Sequence, residues 1–189
     1  DMFEEGIVAV SDDGIPLADP DLMRRALEYT KIFGIPVINH AEEPRLIADG
    51  TVNESRVSAL MGLKGRPAAA EARMVARDVY LAELTGGRLH VPHLSTGAAL
   101  DIVRQAKKRG VHVTCEVAPH HFALTDEACR AFDTNTRVNP PLRTRDDVDA
   151  LIEGIADGTV DAIATDHAPH HWDEKDCEFP LAPPGMVGL

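Results

Sequence analysis

Val160-Asp161-Ala162-Ile163-Ala164-Thr165-Asp166-His167-Ala168-Pro169-His170-His171 runs from an apolar segment into an acid, three imidazoles and a proline. Val160 to Ala164 reads as a short buried strand, with Asp166 and His167 at its carboxyl end. A carboxylate at that place, followed by histidine, is how a parallel-strand barrel holds a metal ligand that also moves protons. A histidine-rich loop that binds nothing is the competing reading of this stretch alone. The rest of the chain decides between them.

Strand and helix signals alternate upstream. Gly6 to Val10 is an apolar run closed by the turn signal Asp12-Asp13-Gly14. Asp19-Pro20-Asp21 opens a helix whose predicted apolar face is Leu22, Met23, Ala26, Leu27 and Ile32. Ile35 to Asn39 is the next strand and ends at His40. Residues 41–66 are the longest irregular stretch, with a short helix around Arg56 to Leu60. Pro67 to Leu84 is a long helix closed by Gly86-Gly87. Leu89 to Leu94 and Val111 to Val117 are strands flanking a helix from Ala98 to Arg109. A short helix near Thr125 to Phe132, the loop from Arg137 to Arg143 and a helix from Arg145 to Ala156 lead to the last strand. Strands separated by helices imply parallel crossovers, hence an α/β fold over residues 1–189 with no internal boundary. No GxGxxG or P-loop occurs, which disfavours an open nucleotide-binding sheet. Polar residues at the ends of four strands favour a barrel instead.

Bulk composition narrows the function. The 189 residues are 44% hydrophobic, and the formal net charge of -12 excludes a basic nucleic-acid face and disfavours anionic membranes. No apolar run reaches membrane-spanning length and no signal pattern opens the chain. Three widely spaced cysteines, Cys115, Cys129 and Cys177, point to a reducing cytoplasm, with Cys115 a small core residue. Asp1 and the apolar end Gly185-Met186-Val187-Gly188-Leu189 read as cuts through a larger domain.

The strand ends supply Asp13, His40, His93 and Asp166. Two imidazoles and two carboxylates suit zinc or a similar divalent ion, with one aspartate able to bridge two metals. Asp13 alone is explained as a turn residue. His40 could cap a helix or pair with Glu42. His93 could be structural, with His90 competing two residues inside the strand. Asp166 is hardest to dismiss, because an acid ending an apolar strand needs a partner or a cation.

Ser11-Asp12-Asp13-Gly14, Ile38-Asn39-His40-Ala41-Glu42, Val91-Pro92-His93-Leu94-Ser95, Thr114 to His121, Arg137 to Arg143 and Ala164 to His170 together resemble the motifs of bacterial class I dihydroorotases, in the amidohydrolase superfamily. The resemblance covers nearly the whole chain, in order and spacing. It implies a partial TIM (β/α)8 barrel, about strands 4 to 8, and two zinc ions per active site. By that resemblance Asp13 bridges the two zincs, His40 and His93 hold the second, and Asp166 binds the first and is the catalytic acid and base. Asn139, His170, Pro184 and Gly185 match substrate contacts. His120, His121 and His171 match family positions without a role to carry over. The absence of lysine near Asp13 favours dihydroorotase over hydantoinase or allantoinase relatives, which use a carboxylated lysine there.

The activity implied is reversible cyclisation of N-carbamoyl-L-aspartate to dihydroorotate in pyrimidine synthesis, in the cytoplasm. The resemblance also suggests a homo-oligomer or a partnership with aspartate transcarbamoylase. The family's first-strand His-x-His and following Arg are not in this sequence, so the 189 residues alone are expected to be inactive. Two alternatives are a non-catalytic subunit supporting aspartate transcarbamoylase and a related cyclic amidase.

Overall fold

A computed structural model describes residues 2–12 and 14–188. In chain order the elements are β1 (Val10–Ser11), α1 (Pro20–Lys31), β2 (Pro36–Ile38), α2 (Pro44–Ile47), β3 (Val52–Asn53), α3 (Arg56–Met61), β4 (Gly65–Arg66), α4 (Ala68–Thr85), β5 (Arg88–Val91), α5 (Gly97–Lys108), β6 (Val113–Val117), α6 (Pro119–Ala123), α7 (Arg145–Ala156), β7 (Ala162–Ile163) and α8 (Trp172–Lys175). Two 3-10 turns, Asp126–Ala131 and Thr134–Thr136, lie between α6 and α7.

The main sheet runs β1-β2-β5-β6-β7, all parallel, so spatial order follows chain order. A doubly wound sheet reverses direction at a switch point. This one does not, and it is an arc of a TIM barrel. Alternation along the strands assigns its two faces. Leu89 and Val91 of β5 and Val113, Cys115 and Val117 of β6 are buried in the core with Met23 and Leu27 of α1, Met74 and Val79 of α4, Leu100 and Val103 of α5 and Leu151 of α7. His90, Thr114 and Glu116 occupy the opposite face, where His90 bonds both of the others. The helices therefore cover one side and the polar residues line the other.

Several expectations change. The first strand pairs only at Val10–Ser11, and the last only at Ala162–Ile163 rather than over Val160 to Ala164. The last strand is not buried: Ile163 is 54% exposed. β1 and β7 each pair with a strand of the main sheet on one side only among the described residues. On α1, Met23 and Leu27 are buried but Leu22 and Ile32 are exposed, because both lie off the stripe that meets α4 and β2. Residues 41–66 are more ordered than their composition suggests, with β3 and β4 forming a second parallel ladder. Helices α6 and α8 span 5 and 4 residues, too short for apolar periodicity to reveal.

Candidate active site

His40 follows β2 and is held by the loop after β1. Its backbone N–H donates to Asp12 Oδ2 at 2.7 Å, and its Nδ1 meets Asp12 Oδ1. Gly14 N–H also reaches that Nδ1, at 3.2 Å. Burial raises the Asp12 carboxyl, but the hydrogen bonds from His40 and Gly14 outweigh it and hold the group below its ordinary value. The same loop is pinned from behind. Asn39 accepts from Leu17 N–H and donates to Asp78, while Arg77 bonds Asp78 and the carbonyls of Leu17 and Ala18.

His93 follows β5 with its ring centroid 4.7 Å from that of His40. It is buried, and its Nδ1 has no hydrogen-bond partner among the described residues. Burial, aided by the His40 ring, pushes its pKa down to about 4. Asp166 follows β7 and is half-buried. Burial raises its carboxyl above the ordinary value, opposed by His40 and reinforced by Glu116. His93 (φ 32°) and Asp166 (φ 45°) are two of the four non-glycine residues in the left-handed region among the described residues. Such backbone persists where the surroundings over-determine it, often at functional sites.

His120 and His121 open α6 and are both buried, with ring centroids 4.4 Å apart. His120 Nε2 lies 3.7 Å from Asp166 Oδ2, and neither of its ring nitrogens has a hydrogen bond among the described residues. His121 Nε2 meets the carbonyl of Pro140, in the loop that follows Asn139 through a cis peptide bond. Burial holds both imidazoles below the histidine range, His120 at about 4. In the unfolded chain they take up protons near pH 6.5. The unfolded state therefore binds more protons between about pH 6.5 and 4, and stability falls as pH drops through that window. Urea midpoints are expected to be lower at pH 5 than at pH 7, with the His93, His120 and His121 rings outweighing the buried Asp78 carboxyl, which is raised to about 6 and works the other way.

The predicted substrate contacts gather separately. His170 Nε2 lies 3.1 Å from the carbonyl of Pro184. Gly185 has φ 144°, and a Cβ there would lie 2.4 Å from Ala168 O and 3.0 Å from His170 Nε2. Gly185 N–H donates to Arg137 O at 2.8 Å, which ties this loop to the segment carrying Asn139. Asn139 itself is half-buried.

His40, His93 and Asp166 thus come from three strand ends to one end of the arc. Asp13 lies outside the described residues. Among the described residues, no group of three or more His, Cys, Asp or Glu side chains is close enough to hold a metal by itself. His90, the competing candidate, has both ring nitrogens engaged, by Thr114 and Glu116, whereas His93 Nδ1 has no partner among the described residues. Three neighbours had no role assigned from the sequence: Asp12 on His40, His120 beside Asp166, and Glu116 behind His90. The acid pair Asp12-Asp13 and the tandem His120-His121 were the available signals, but a turn and a solvated loop explain them equally well.

Residues 1–99 match the family model described as dihydro-orotase-like. The chain belongs to the dihydro-orotase-like family. Two curated relatives, both named dihydroorotase, come from Pelotomaculum thermopropionicum and Geobacter metallireducens. They are 59% and 60% identical over all 189 residues. The chain spans 44% and 45% of their lengths. Among solved structures, L-hydantoinase (dihydropyrimidinase) from Arthrobacter aurescens superposes with a TM-score of 0.84 at 22% identity, over 99% of this chain and 44% of its own. D-hydantoinase (dihydropyrimidinase) from Thermus sp. gives 0.81 at 25% identity, over 98% and 43%. These likenesses establish the barrel fold of this family member. No helix among the described residues is long and apolar enough to cross a membrane.

Proposed function

We propose that these residues supply strands 4 to 8 of a metal-dependent dihydroorotase, a cyclic-amide hydrolase that interconverts dihydroorotate and N-carbamoyl-L-aspartate in pyrimidine synthesis. The observation that carries this reading is the convergence of His40, His93 and Asp166 from three strand ends, in a chain 59% identical to a dihydroorotase. Zinc is the proposed metal, and the cytoplasm the proposed compartment. Self-association and association with aspartate transcarbamoylase belong to the same reading.

The donor set fits such an ion. His93 keeps a buried ring nitrogen without a protein partner, and neutral imidazole is the ligand form that its lowered pKa preserves. Asp12 grips His40 from behind, as carboxylates do for metal-bound histidines. His40, His93 and Asp13 would hold one ion, and Asp13 with Asp166 would face the other. When bound, the ions supply a water of lowered pKa and polarise the scissile carbonyl.

The chain's own residues do the rest. Asp166, raised by burial, takes the proton of the attacking water and delivers it to the ring nitrogen as the C–N bond breaks. His170, Asn139 and the Pro184-Gly185 backbone orient the ring and its carboxylate. The exposed edge at β7 is where the remainder of the barrel closes over this chemistry.

Metal analysis of the 189-residue chain tests the ligand assignment. At most one tightly held zinc per chain is expected, and His40→Ala is expected to lose it. Two zincs unaffected by His40→Ala would overturn the assignment. Hydrolysis of dihydroorotate by the intact protein, in preference to hydantoin, tests the activity.

A further inference from the structure

Arg137 and Lys175 are two cations with no carboxylate at salt-bridge distance among the described residues, in a chain of net charge -12. Both meet only backbone carbonyls, Lys175 through Nζ and Arg137 through Nη1, while the buried Arg137 Nε has no hydrogen-bond partner among the described residues. The buried Lys175 Nζ donates to Pro183 O and Gly185 O at 2.8 Å each and to Thr134 O at 3.1 Å. Arg137 Nη1 donates to Pro180 O at 2.6 Å, to Phe179 O at 3.2 Å and to Ala182 O. The carbonyls of residues 179, 180, 182, 183 and 185 thus turn toward the cations, whereas that of Pro184 turns toward His170. Two reciprocal bonds lock the pair in place: Thr134 Oγ1 donates to Lys175 O at 2.6 Å, and Gly185 N–H to Arg137 O at 2.8 Å.

A buried cation without a counter-charge is costly, and neutral carbonyls offset that cost only in part. Had the segment needed only a fixed shape, neutral donors could have held it. The two charges stand directly behind Gly185, whose carbonyl Lys175 holds at 2.8 Å, while Glu174 Oε2 lies 3.6 Å from the Nδ1 side of His170 and leaves its Nε2 side to Pro184. We propose that Arg137 and Lys175 are positioning residues that act through segment 179–185. They hold Pro184-Gly185 against His170 and reserve that end of the site for an anionic substituent, a carboxylate on the ring. This rests on the dihydroorotase reading above, and it adds the residues that set the selection for a charged ring.

Steady-state kinetics of the intact, zinc-loaded protein on dihydroorotate separate the outcomes. Lys175→Met and Arg137→Met are each expected to raise KM about tenfold or more, with kcat within about threefold of the parent. Arg137→Lys, which restores the charge, is expected to recover most of the KM. A merely structural clamp would instead lower kcat and the folded, zinc-loaded fraction together and leave the KM of the surviving enzyme unchanged. Unchanged KM in folded Met variants, or failure of Arg137→Lys to improve on Arg137→Met, overturns the proposal. If Lys175→Met does not fold, the two variants at the partly exposed Arg137 decide it. A parent protein that leaves dihydroorotate intact while folded and zinc-loaded overturns the functional reading itself, a result distinct from any change among the variants.

Discussion

Asp166→Asn in the intact protein is expected to lower kcat for dihydroorotate hydrolysis by about 10²–10⁴-fold, the range for loss of a general acid–base. Asparagine keeps the shape and tolerates the left-handed backbone found at this position, φ 45°. It cannot take a proton from water at neutral pH. The surroundings of Asp166 suit a proton carrier, because burial raises its carboxyl toward the working range and the nearby imidazole of His120 is itself held neutral. His120 Nε2 lies 3.7 Å away, too far to take over the proton directly. The measurement is kcat at saturating substrate with zinc content checked in parallel. A variant that binds zinc normally and retains kcat within about tenfold would remove Asp166 from the proton transfer.

Glu71→Ala is expected to cost about 3–5 kcal/mol of stability, the range for breaking a buried ion pair. Glu71 and Arg143 are 2% and 1% exposed. The Glu71 carboxylate accepts from Ser95 N–H at 3.1 Å, from Thr96 N–H at 3.0 Å and from Thr96 Oγ1 at 2.9 Å, as well as from Ser95 Oγ. Arg143 Nη2 stands 3.8 Å from the same carboxylate and has no hydrogen bond of its own among the described residues. Removing the acid strands a guanidinium, two backbone N–H groups and two hydroxyls in a water-excluded place. Arg143 also donates to Ser95 Oγ, Asn53 Oδ1 and the carbonyl of Arg66, so the loss reaches β3 and β4. Ser95 and Thr96 lie just after His93, so a loosened turn is felt at the candidate ligand. Urea unfolding gives the measurement, and the double variant Glu71→Ala/Arg143→Met is expected to be less destabilised than the sum of the singles. Additive losses would mean that the two side chains do not act as a pair.

Much of this was legible in the sequence because it depends on local patterns. The alternation of apolar strands with capped helices fixes α1, α4, α5 and α7 to within a residue or two. Three of the four strand-end residues, His40, His93 and Asp166, follow β2, β5 and β7 at one end of the arc. What was hidden depends on contacts between distant parts of the chain. That His90 serves Glu116 while the His93 Nδ1 stays free follows from strand register, which no local stretch specifies. Asp12 looked like a turn residue, and its bond to His40 crosses 28 positions. Glu71 lies on α4 and Arg143 in the loop before α7, far apart in the chain. Their burial follows from α4 and the Asn139 loop closing on the same turn. The exposure of β7 was misjudged because an apolar composition describes what a strand would bury, not whether a neighbour is present to bury it.

The bridge between His167 and Met186 gives β7 an unusual attachment. The turn bearing His93 lies mid-arc, flanked by β2 and β6. The segment bearing Asp166 is stitched to β6 on one side and to the 186–188 stretch on the other, through Ala168 N–H to Met186 O and Gly188 N–H to His167 Nδ1. In hydrogen exchange, the amides of β5 should therefore open with the core, and those of residues 162–168 should open earlier and with their own rate. His93, a candidate ligand, and Asp166, the proposed proton carrier, then belong to different cooperative units. The moment at which the acid becomes fixed is set by how firmly residues 186–188 lie down beside it.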